Sequence, residues 1–362
     1  MVIPRLQSGG AERQLGYLSH GLAELNYEVL VVTLGDKGDP PPGWSRHVSL
    51  HRLKGRSNYD PRLIFQLYRL IRRVRPDIIQ TWNPQTDIMG GIAAVLNAGR
   101  WIIRESNAGD SYRYGWKAKL RALIGTKANA VVSNSAGGDD YWRSLYPDKL
   151  RSVISNSLPF EEIDRVRPIG RQELGLEEDQ GFVLYAGRLT RQKRVERIVN
   201  AIAALDPESR TIAFICGEGE DLNELQALAR RRGVEGRVKF CGFLKTETIW
   251  GMMKSADLLI NLSDYEGMPN TVMEAMACGC PLLVSDIPAH REILDGNTAI
   301  LADPRDTAAQ AKALRDLLAD PESARSRAAA AEKRTRSWSI GETARKYDQM
   351  YRELISMKIR EP

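Results

Sequence analysis

Apolar residues along this chain fall in short dense runs, each followed by a longer stretch in which they recur every third or fourth position. Glu28–Thr33, Asp77–Gln80, Arg100–Arg104 and Ala130–Ser133 are rich in β-branched residues and read as strands, while Ala11–Leu25 and Pro61–Val74 carry helical spacing. Around Asn156–Arg171 the pattern lapses into Pro159, Pro168 and Gly170 among several charges, as in a linker. A second series follows: Phe182–Ala186, Thr211–Cys216, Val238–Cys241, Leu258–Leu262 and Pro281–Ser285, each trailed by a helical stretch. Strand and helix in alternation mark parallel strands joined by crossover helices. The expectation is therefore two doubly wound α/β domains with ligands held in a cleft between them. The 362 residues agree, since one compact core usually takes roughly 100–200. No short-period repeat is present, and the Ala-rich stretch Ala308–Ala331 reads as one or two ordinary helices.

Composition narrows the class. Charged residues at 27% and hydrophobic residues at 43% suit a soluble globular chain. No uncharged run approaches the roughly 18 apolar residues of a spanning helix, and Met1–Arg13 lacks a long apolar core behind basic residues. A cytosolic protein is expected. Cys216, Cys241, Cys278 and Cys280, with His20, His47, His51 and His290, lack the spacing of a zinc site or a disulfide framework. The net charge of +6 is unevenly spread: residues 1–165 hold 23 Lys and Arg against 16 Asp and Glu, the rest 29 against 30. A basic first half suits an anionic partner such as a membrane surface or a phosphate-bearing acceptor, and equally a plain solvated surface.

Three segments carry candidate chemistry. Ser8-Gly9-Gly10-Ala11-Glu12-Arg13 follows the short apolar Val2-Ile3-Pro4 and opens a helix. Two glycines at such a turn let backbone approach a phosphate or sugar, although a Gly-Gly turn also stands without any ligand. Gly187-Arg188 and Lys193 follow the run Phe182–Ala186. A guanidinium and an ammonium at one strand's carboxyl end suit a diphosphate, although Arg191 and Arg194 beside them also fit a solvated loop. The third segment runs from Asp264 to Ala275. Glu266 precedes the turn Gly267-Met268-Pro269, and a helix runs from Asn270 to Ala277. Amides near Asn270 and Thr271 would present the favourable end of the helix dipole to an anion. Glu266 and Glu274 would reach different parts of one elongated ligand.

In this arrangement the chain resembles the retaining glycosyltransferases of family 4, whose motif of two glutamates eight positions apart matches Glu266 and Glu274. The resemblance covers nearly the whole chain in order: Gly9-Gly10-Ala11-Glu12, Arg188 and Lys193, Gly217-Glu218-Gly219, Gly242-Phe243, Glu266 through Pro281, and Glu292. It implies the GT-B fold of two Rossmann-like domains: an acceptor-side domain at 1–160, a nucleotide-sugar domain at 161–345, and a C-terminal helix at 346–362 returning toward the first. It implies that Arg188, Lys193 and Glu266 do the catalytic work, with Arg188 and Lys193 on the donor diphosphate and Glu266 on the donor sugar. Gly9, Gly10, Gly187, Gly267, Met268, Pro269, Asn270 and Thr271 would line the donor, Glu274 its ribose, and the segment after Gly242 its base. No metal, cofactor or protein nucleophile is implied, because fixed cations answer the charge on the leaving diphosphate. There is no D-x-D pair of the metal-dependent transferases.

The acceptor is less sharply drawn. The family's His-x-His is absent after Gln80-Thr81-Trp82, and Asn156-Ser157 stands where Asn-Gly is common. Arg104-Glu105-Ser106-Asn107 resembles a cluster of members acting on lipid-diphosphate-linked saccharides, placing Arg104, Glu105 and Asn107 on the acceptor side; a polar strand end capping nearby helices fits as well. In 112–124, Trp116, Leu120, Leu123 and Ile124 share a helical face, with Lys117 and Arg121 close by and Arg69, Arg72, Arg73 and Arg75 elsewhere in the basic half. This suits a membrane interface, and the same face would also serve as core. The reading is a transferase moving a sugar, most simply from a UDP-sugar, to a lipid-linked saccharide for cell-surface glycans at the inner face of the plasma membrane, with no nucleic-acid partner. The rivals are a nucleotide-sugar 2-epimerase of the same fold and a transferase for soluble small acceptors. A dinucleotide oxidoreductase lacks its G-x-G-x-x-G turn.

Overall fold

A computed structural model of the chain describes residues 1–6, 9–35, 38–40, 44–57, 60–107 and 115–357. The chain forms two compact units, residues 1–157 with 338–362, and residues 158–337.

The first unit is built on strands β1 (Val2–Ile3), β2 (Val29–Thr33), β3 (Val48–Arg52), β4 (Ile79–Thr81), β5 (Trp101–Glu105), β6 (Ala130–Ser133) and β7 (Leu150–Val153). They lie in the order β3-β2-β1-β4-β5-β6-β7, and every pair is parallel. Crossovers are made by α1 (Gly10–Glu24), α2 (Arg62–Val74), α3 (Pro84–Leu96), α4 (Trp116–Gly125) and α5 (Ala136–Leu145). Helices on both faces bury the central strands completely; β6 is accordingly Ala-Val-Val-Ser, while β4 and β5 start apolar and carry the buried polar residues Gln80, Arg104 and Glu105 toward their carboxyl ends.

The second unit opens with α6 (Phe160–Arg165), inside the stretch expected to be a plain linker. Lys254 explains the helix: its Nζ donates to the carbonyls of Ile163 and Val166 at 2.6 and 2.7 Å, occupying the helix end with a cation. Strands β8 (Phe182–Ala186), β9 (Ile212–Cys216), β10 (Val238–Gly242), β11 (Leu258–Asn261), β12 (Leu282–Ser285) and β13 (Ile300–Ala302) form a parallel sheet in the order β10-β9-β8-β11-β12-β13. Helices α7 (Val195–Ala203), α8 (Leu222–Arg231), α9 (Thr246–Met253), α10 (Asn270–Ala277), α11 (Pro288–Arg291), α12 (Thr307–Ala319) and α13 (Pro321–Thr335) complete it.

The chain then returns to the first unit as α14 (Ile340–Ser356). Its expected start at 346 is corrected to Ile340, because the Ser339 side chain accepts from the Glu342 amide at 3.2 Å and begins the helix there. The second unit accordingly closes at 337 rather than 345, and opens at 158 rather than 161. α14 packs on α1 at Gly21, where an added Cβ would stand 2.8 Å from the Ala344 methyl. Tyr351 donates to Gln80 Oε1 at 2.5 Å and Tyr27 to Asp348 Oδ1 at 2.6 Å, fixing the same helix across the sheet's lower edge. Beneath β1, only two residues long between longer neighbours, lies an apolar cavity of about 250 Å³ lined by Val2, Leu30, Leu70 and Ile79 among others.

Candidate active site

In a doubly wound sheet, loops leave in opposite directions where the strand order reverses, and the gap at the strands' carboxyl ends takes the ligand. In the second unit that point lies between β8 and β11. The loop after β8 carries Gly187, Arg188 and Lys193, and the loop after β11 carries Glu266, Gly267, Met268 and Pro269. Two of the expected catalytic residues meet directly: Lys193 Nζ donates to Glu266 Oε1 at 2.6 Å. Their side chains are 17% and 7% exposed, so the pair is largely withdrawn from water. Ser263 Oγ adds a contact to the same carboxylate oxygen at 2.8 Å. Burial pushes the Glu266 carboxyl upward, but Lys193 beside it, with His290 and the Ser263 hydroxyl, outweighs this and holds it below the usual carboxylate range.

A second set of contacts locks the two loops together. Arg194 Nε donates to Asp264 Oδ2 at 2.5 Å, Arg197 reaches Asp264 Oδ1 at 2.6 Å, and Arg197 also donates to the Leu262 carbonyl at 2.8 Å. Gln192 Nε2 donates to the Tyr265 carbonyl at 2.8 Å, and the Asp264 amide to the Gln192 carbonyl at 3.0 Å. Arg194, which sequence alone allowed as a solvated charge, is thus a strut. Arg188 is exposed and makes no ion pair among the described residues, leaving its guanidinium available at the rim.

Backbone approaches closely on the β9 side. Gly217, at φ +144°, presses on the Gly187 carbonyl, and a Cβ on it would lie 1.8 Å from that oxygen. Only glycine fits there. Gly242, at φ +65°, receives the Gly217 amide on its carbonyl at 2.7 Å. Pro269 stands at the N-cap of α10, and no side chain caps this end. The amides of Thr271 and Val272 have no backbone partner among the described residues, as expected of an open first turn. Glu274, one face further along α10, is buried and accepts from Trp250 Nε1 at 2.9 Å.

In the first unit, Gly9 is the N-cap of α1 in an extended conformation, and Gly10 begins the helix. A Cβ at Gly9 would fall 2.4 Å from Glu12 Oε2, so a side chain there would displace the folded-back Glu12 carboxylate. Ser8 lies outside the described residues. The acceptor-side residues are not brought together. Arg104 and Glu105 are neighbours on β5 and so point to opposite faces. Arg104 donates to Asn156 Oδ1 at 2.7 Å and lies over the Trp82 ring, 5.2 Å from its centroid. Glu105 accepts from the Ser106 and Asn107 amides at 2.9 Å and from Trp142 Nε1 at 3.0 Å, and forms an ion pair with Arg121 at 2.8 Å. Both side chains are buried and committed within the unit, and Asn107 is half-buried at the strand's end.

Arg121, expected beside a membrane face, is instead buried, because Asp87 at 2.7 Å and Glu105 draw it inward beneath the Trp142 ring. The apolar stripe divides as well. Leu120 and Ile124 pack on the core, while Trp116 and Leu123 are 68% and 67% exposed beside Lys117 and Lys119. Tyr112, Arg113 and Tyr114 lie outside the described residues. No helix among the described residues is long and apolar enough to cross a membrane.

Sequence reasoning missed Ser263, Asp264, Trp250 and His290 as parts of the constellation around Glu266 and Glu274. Ser263 and Asp264 sit within three residues of Glu266 and were open to view; Trp250 and His290 have no local pattern, and only folding brings them to the glutamates.

Comparison with known proteins follows the same division. Residues 8–161 match the profile of glycosyltransferase family 4, and residues 166–334 that of glycosyl transferases group 1. The chain is 24% identical over 321 residues to the lipopolysaccharide core biosynthesis glycosyltransferase LpsE of Rhizobium meliloti, covering 87% of each. It is 33% identical over 176 residues to alpha-D-kanosaminyltransferase of Streptomyces kanamyceticus, 48% of this chain and 45% of that one. Its fold matches the crystal structure of Anabaena HepE in complex with UDP-glucose at a TM-score of 0.83 and 19% identity, over 97% of this chain and 98% of HepE. With both sheets, their strand order and both profiles in agreement, the chain belongs to the glycosyltransferases, an enzyme of family 4 type with the GT-B pair of Rossmann-like domains.

Proposed function

We propose that the enzyme moves a sugar, with retention of configuration, from a nucleoside diphosphate sugar to a saccharide acceptor in surface-glycan synthesis. The observation that carries this reading is the buried Lys193–Glu266 pair at the switch point of the donor-side sheet, beside the open first turn of α10 and the unpaired Arg188. The donor's diphosphate takes Arg188, Lys193 and the amides of Thr271 and Val272; Gly187 and Gly267–Pro269 allow its close approach, and in the first unit Gly9 and Gly10 are assigned to the donor by resemblance. As the bond from sugar to diphosphate breaks, negative charge grows on the leaving phosphate. Cations and helix-start amides already in place stabilise that charge without reorganising. Glu266, kept ionised, accepts from donor-sugar hydroxyls, and Glu274, oriented by Trp250, from the ribose. A leaving-phosphate oxygen takes the acceptor's proton on the same face, so no protein nucleophile is needed.

UDP-glucose serves as the first donor to test because HepE is described with it. Calorimetric binding of UDP-glucose that is lost in Arg188→Ala and Lys193→Met, with an axial anomeric product by NMR, supports the reading. An inverted product, or binding indifferent to both substitutions, refutes it. The 2-epimerase rival is separated by product analysis, since an epimerase turns over donor with no acceptor.

We further propose that the acceptor is lipid-linked and is met at a membrane. In the first unit, α3 packs against both α2 and α4. This helix layer exposes Phe65, Leu96, Trp116 and Leu123 beside Arg69, Arg72, Arg73, Lys117 and Lys119. Arg69 and Lys117 stand 5.7 Å from the centroids of the Phe65 and Trp116 rings, an arrangement suited to anionic headgroups over apolar tips.

A further inference from the structure

His290, on α11 just after β12, has no task in the reaction as drawn, yet it is fully buried. Its Nδ1 lies 2.7 Å from the Ser285 carbonyl oxygen. A carbonyl only accepts, so Nδ1 carries the hydrogen and Nε2 of the neutral ring is an acceptor. That Nε2 is buried with no hydrogen-bond partner among the described residues. An orphaned polar atom in a folded core calls for a reason.

Its surroundings supply one. Ser285 Oγ donates to the Ser263 carbonyl at 2.6 Å, and Ser263 Oγ lies 2.8 Å from Glu266 Oε1, so a short run of contacts joins the turn holding His290 to Glu266. The charged groups facing the ring are Glu266 after β11, Lys193 after β8, and Asp286 after β12, the last already paired with Arg291. Burial above all keeps the ring neutral; the Ser285 carbonyl, Glu266 and Asp286 favour its charged form, and Lys193 opposes it. The balance at His290 thus depends on where the Lys193 ammonium sits.

We propose that His290 is a positioning residue for Glu266, held in reserve as the counter-charge that replaces Lys193 when an anionic ligand draws that ammonium away. This rests on the reading of Lys193 as a diphosphate ligand. Once Lys193 turns outward, Glu266 would remain as a buried carboxylate with a hydroxyl contact and no cation, a costly state. Nε2 then takes a proton from solvent water, an N–H bond forms, the resulting hydroxide passes to the buffer, and the site keeps its net charge.

Ring-proton NMR of the four histidines tests this, with His290→Gln identifying the signal. Lys193→Met withdraws the ammonium with no ligand present, and the His290 titration midpoint should move to higher pH. Adding Glu266→Gln to that variant should bring the midpoint back down. In the wild-type protein UDP-glucose should raise it as well; both phosphates of this probe are esterified and do not titrate near neutrality. An unchanged midpoint in Lys193→Met, or a rise that survives Glu266→Gln, overturns the proposal. Should Lys193→Met fail to fold, the UDP-glucose titration of the wild-type protein decides. Because the substitution arms need no ligand, a chain that ignores UDP-glucose while Lys193→Met shifts His290 refutes the donor assignment and leaves the role of His290 standing.

Discussion

Replacing Lys193 by methionine keeps the length of the side chain and removes its charge, leaving Glu266, 8% exposed, with the Ser263 hydroxyl. Breaking a buried pair costs about 3–5 kcal/mol, and the partial exposure of Lys193 places this one near the lower end, at about 3 kcal/mol. For a unit of this size each kcal/mol moves the melting temperature by about 2–4 °C, so a fall of about 6–12 °C at pH 7 is expected. The loss should shrink in acid. The Glu266 carboxyl is held low in the folded protein, so its contribution is present above the ordinary carboxylate range and is lost as pH falls through its folded-state value. Below that point the carboxyl is protonated in both proteins and the penalty of the methionine fades. Turnover should fall independently of folding: a cation aimed at the leaving diphosphate supplies about 10²-fold or more in kcat/KM, or about 2.7 kcal/mol. Adding Glu266→Gln should return most of the stability and none of the turnover. Scanning calorimetry at pH 4 and pH 7, with steady-state kinetics on the nucleotide sugar turned over, measures both. A methionine variant that melts with the wild type at pH 7 and retains its kcat/KM refutes the assignment of Lys193 and Glu266 together.

Trp250→Phe removes the N–H that orients Glu274 while keeping a smaller aromatic ring in place; an orphaned buried acceptor costs about 1–3 kcal/mol, so donor KM should rise roughly tenfold with kcat little changed, and a kcat-only effect would contradict the ribose role. Burial lifts the Asp87 carboxyl to about 6 despite Arg121, so its contribution to the first unit's stability is full below the ordinary 3.8 and is lost as pH rises to about 6; Asp87→Asn should flatten urea-denaturation stability across that window. Turnover should survive EDTA if fixed cations meet the leaving group; complete loss restored by Mg²⁺ or Mn²⁺ would overturn that account. Trp116→Ala with Lys117→Glu and Lys119→Glu should weaken salt-sensitive sedimentation with anionic vesicles while UDP-glucose binding stays intact, and an unchanged pellet would assign those side chains no membrane role.

Central strands were legible because burial on both faces demands an unbroken apolar run. Phe182–Ala186 shows this to the residue, and Ala130–Ser133 likewise. Three edge strands, β3, β7 and β13, were not. Val48-Ser-Leu-His-Arg and Leu150-Arg-Ser-Val mix polar residues into half-exposed positions, and Ile300–Ala302 is too short to stand out. The start of α10 at Asn270 could be read because the preceding Gly and Pro fix where a helix can begin. Family and glycosyl transfer were likewise open to sequence, since Arg188 with Lys193 and Glu266 with Glu274 are each a short linear pattern and occur in the family's order. What the pattern could not state is which charges would touch. Strand order sets β8 beside β11, though more than seventy residues separate Lys193 from Glu266, and that neighbourhood turns two site residues into one buried pair. The same limit applies to direction. Arg104 and Glu105 are adjacent letters, yet the pleat sends them to opposite faces, and Arg121 looked like a surface cation until Asp87 and Glu105 were folded beneath it. Periodicity reports how often a side chain faces inward; which partner waits there is decided by contacts between residues far apart in the chain, and those exist only in the tertiary fold.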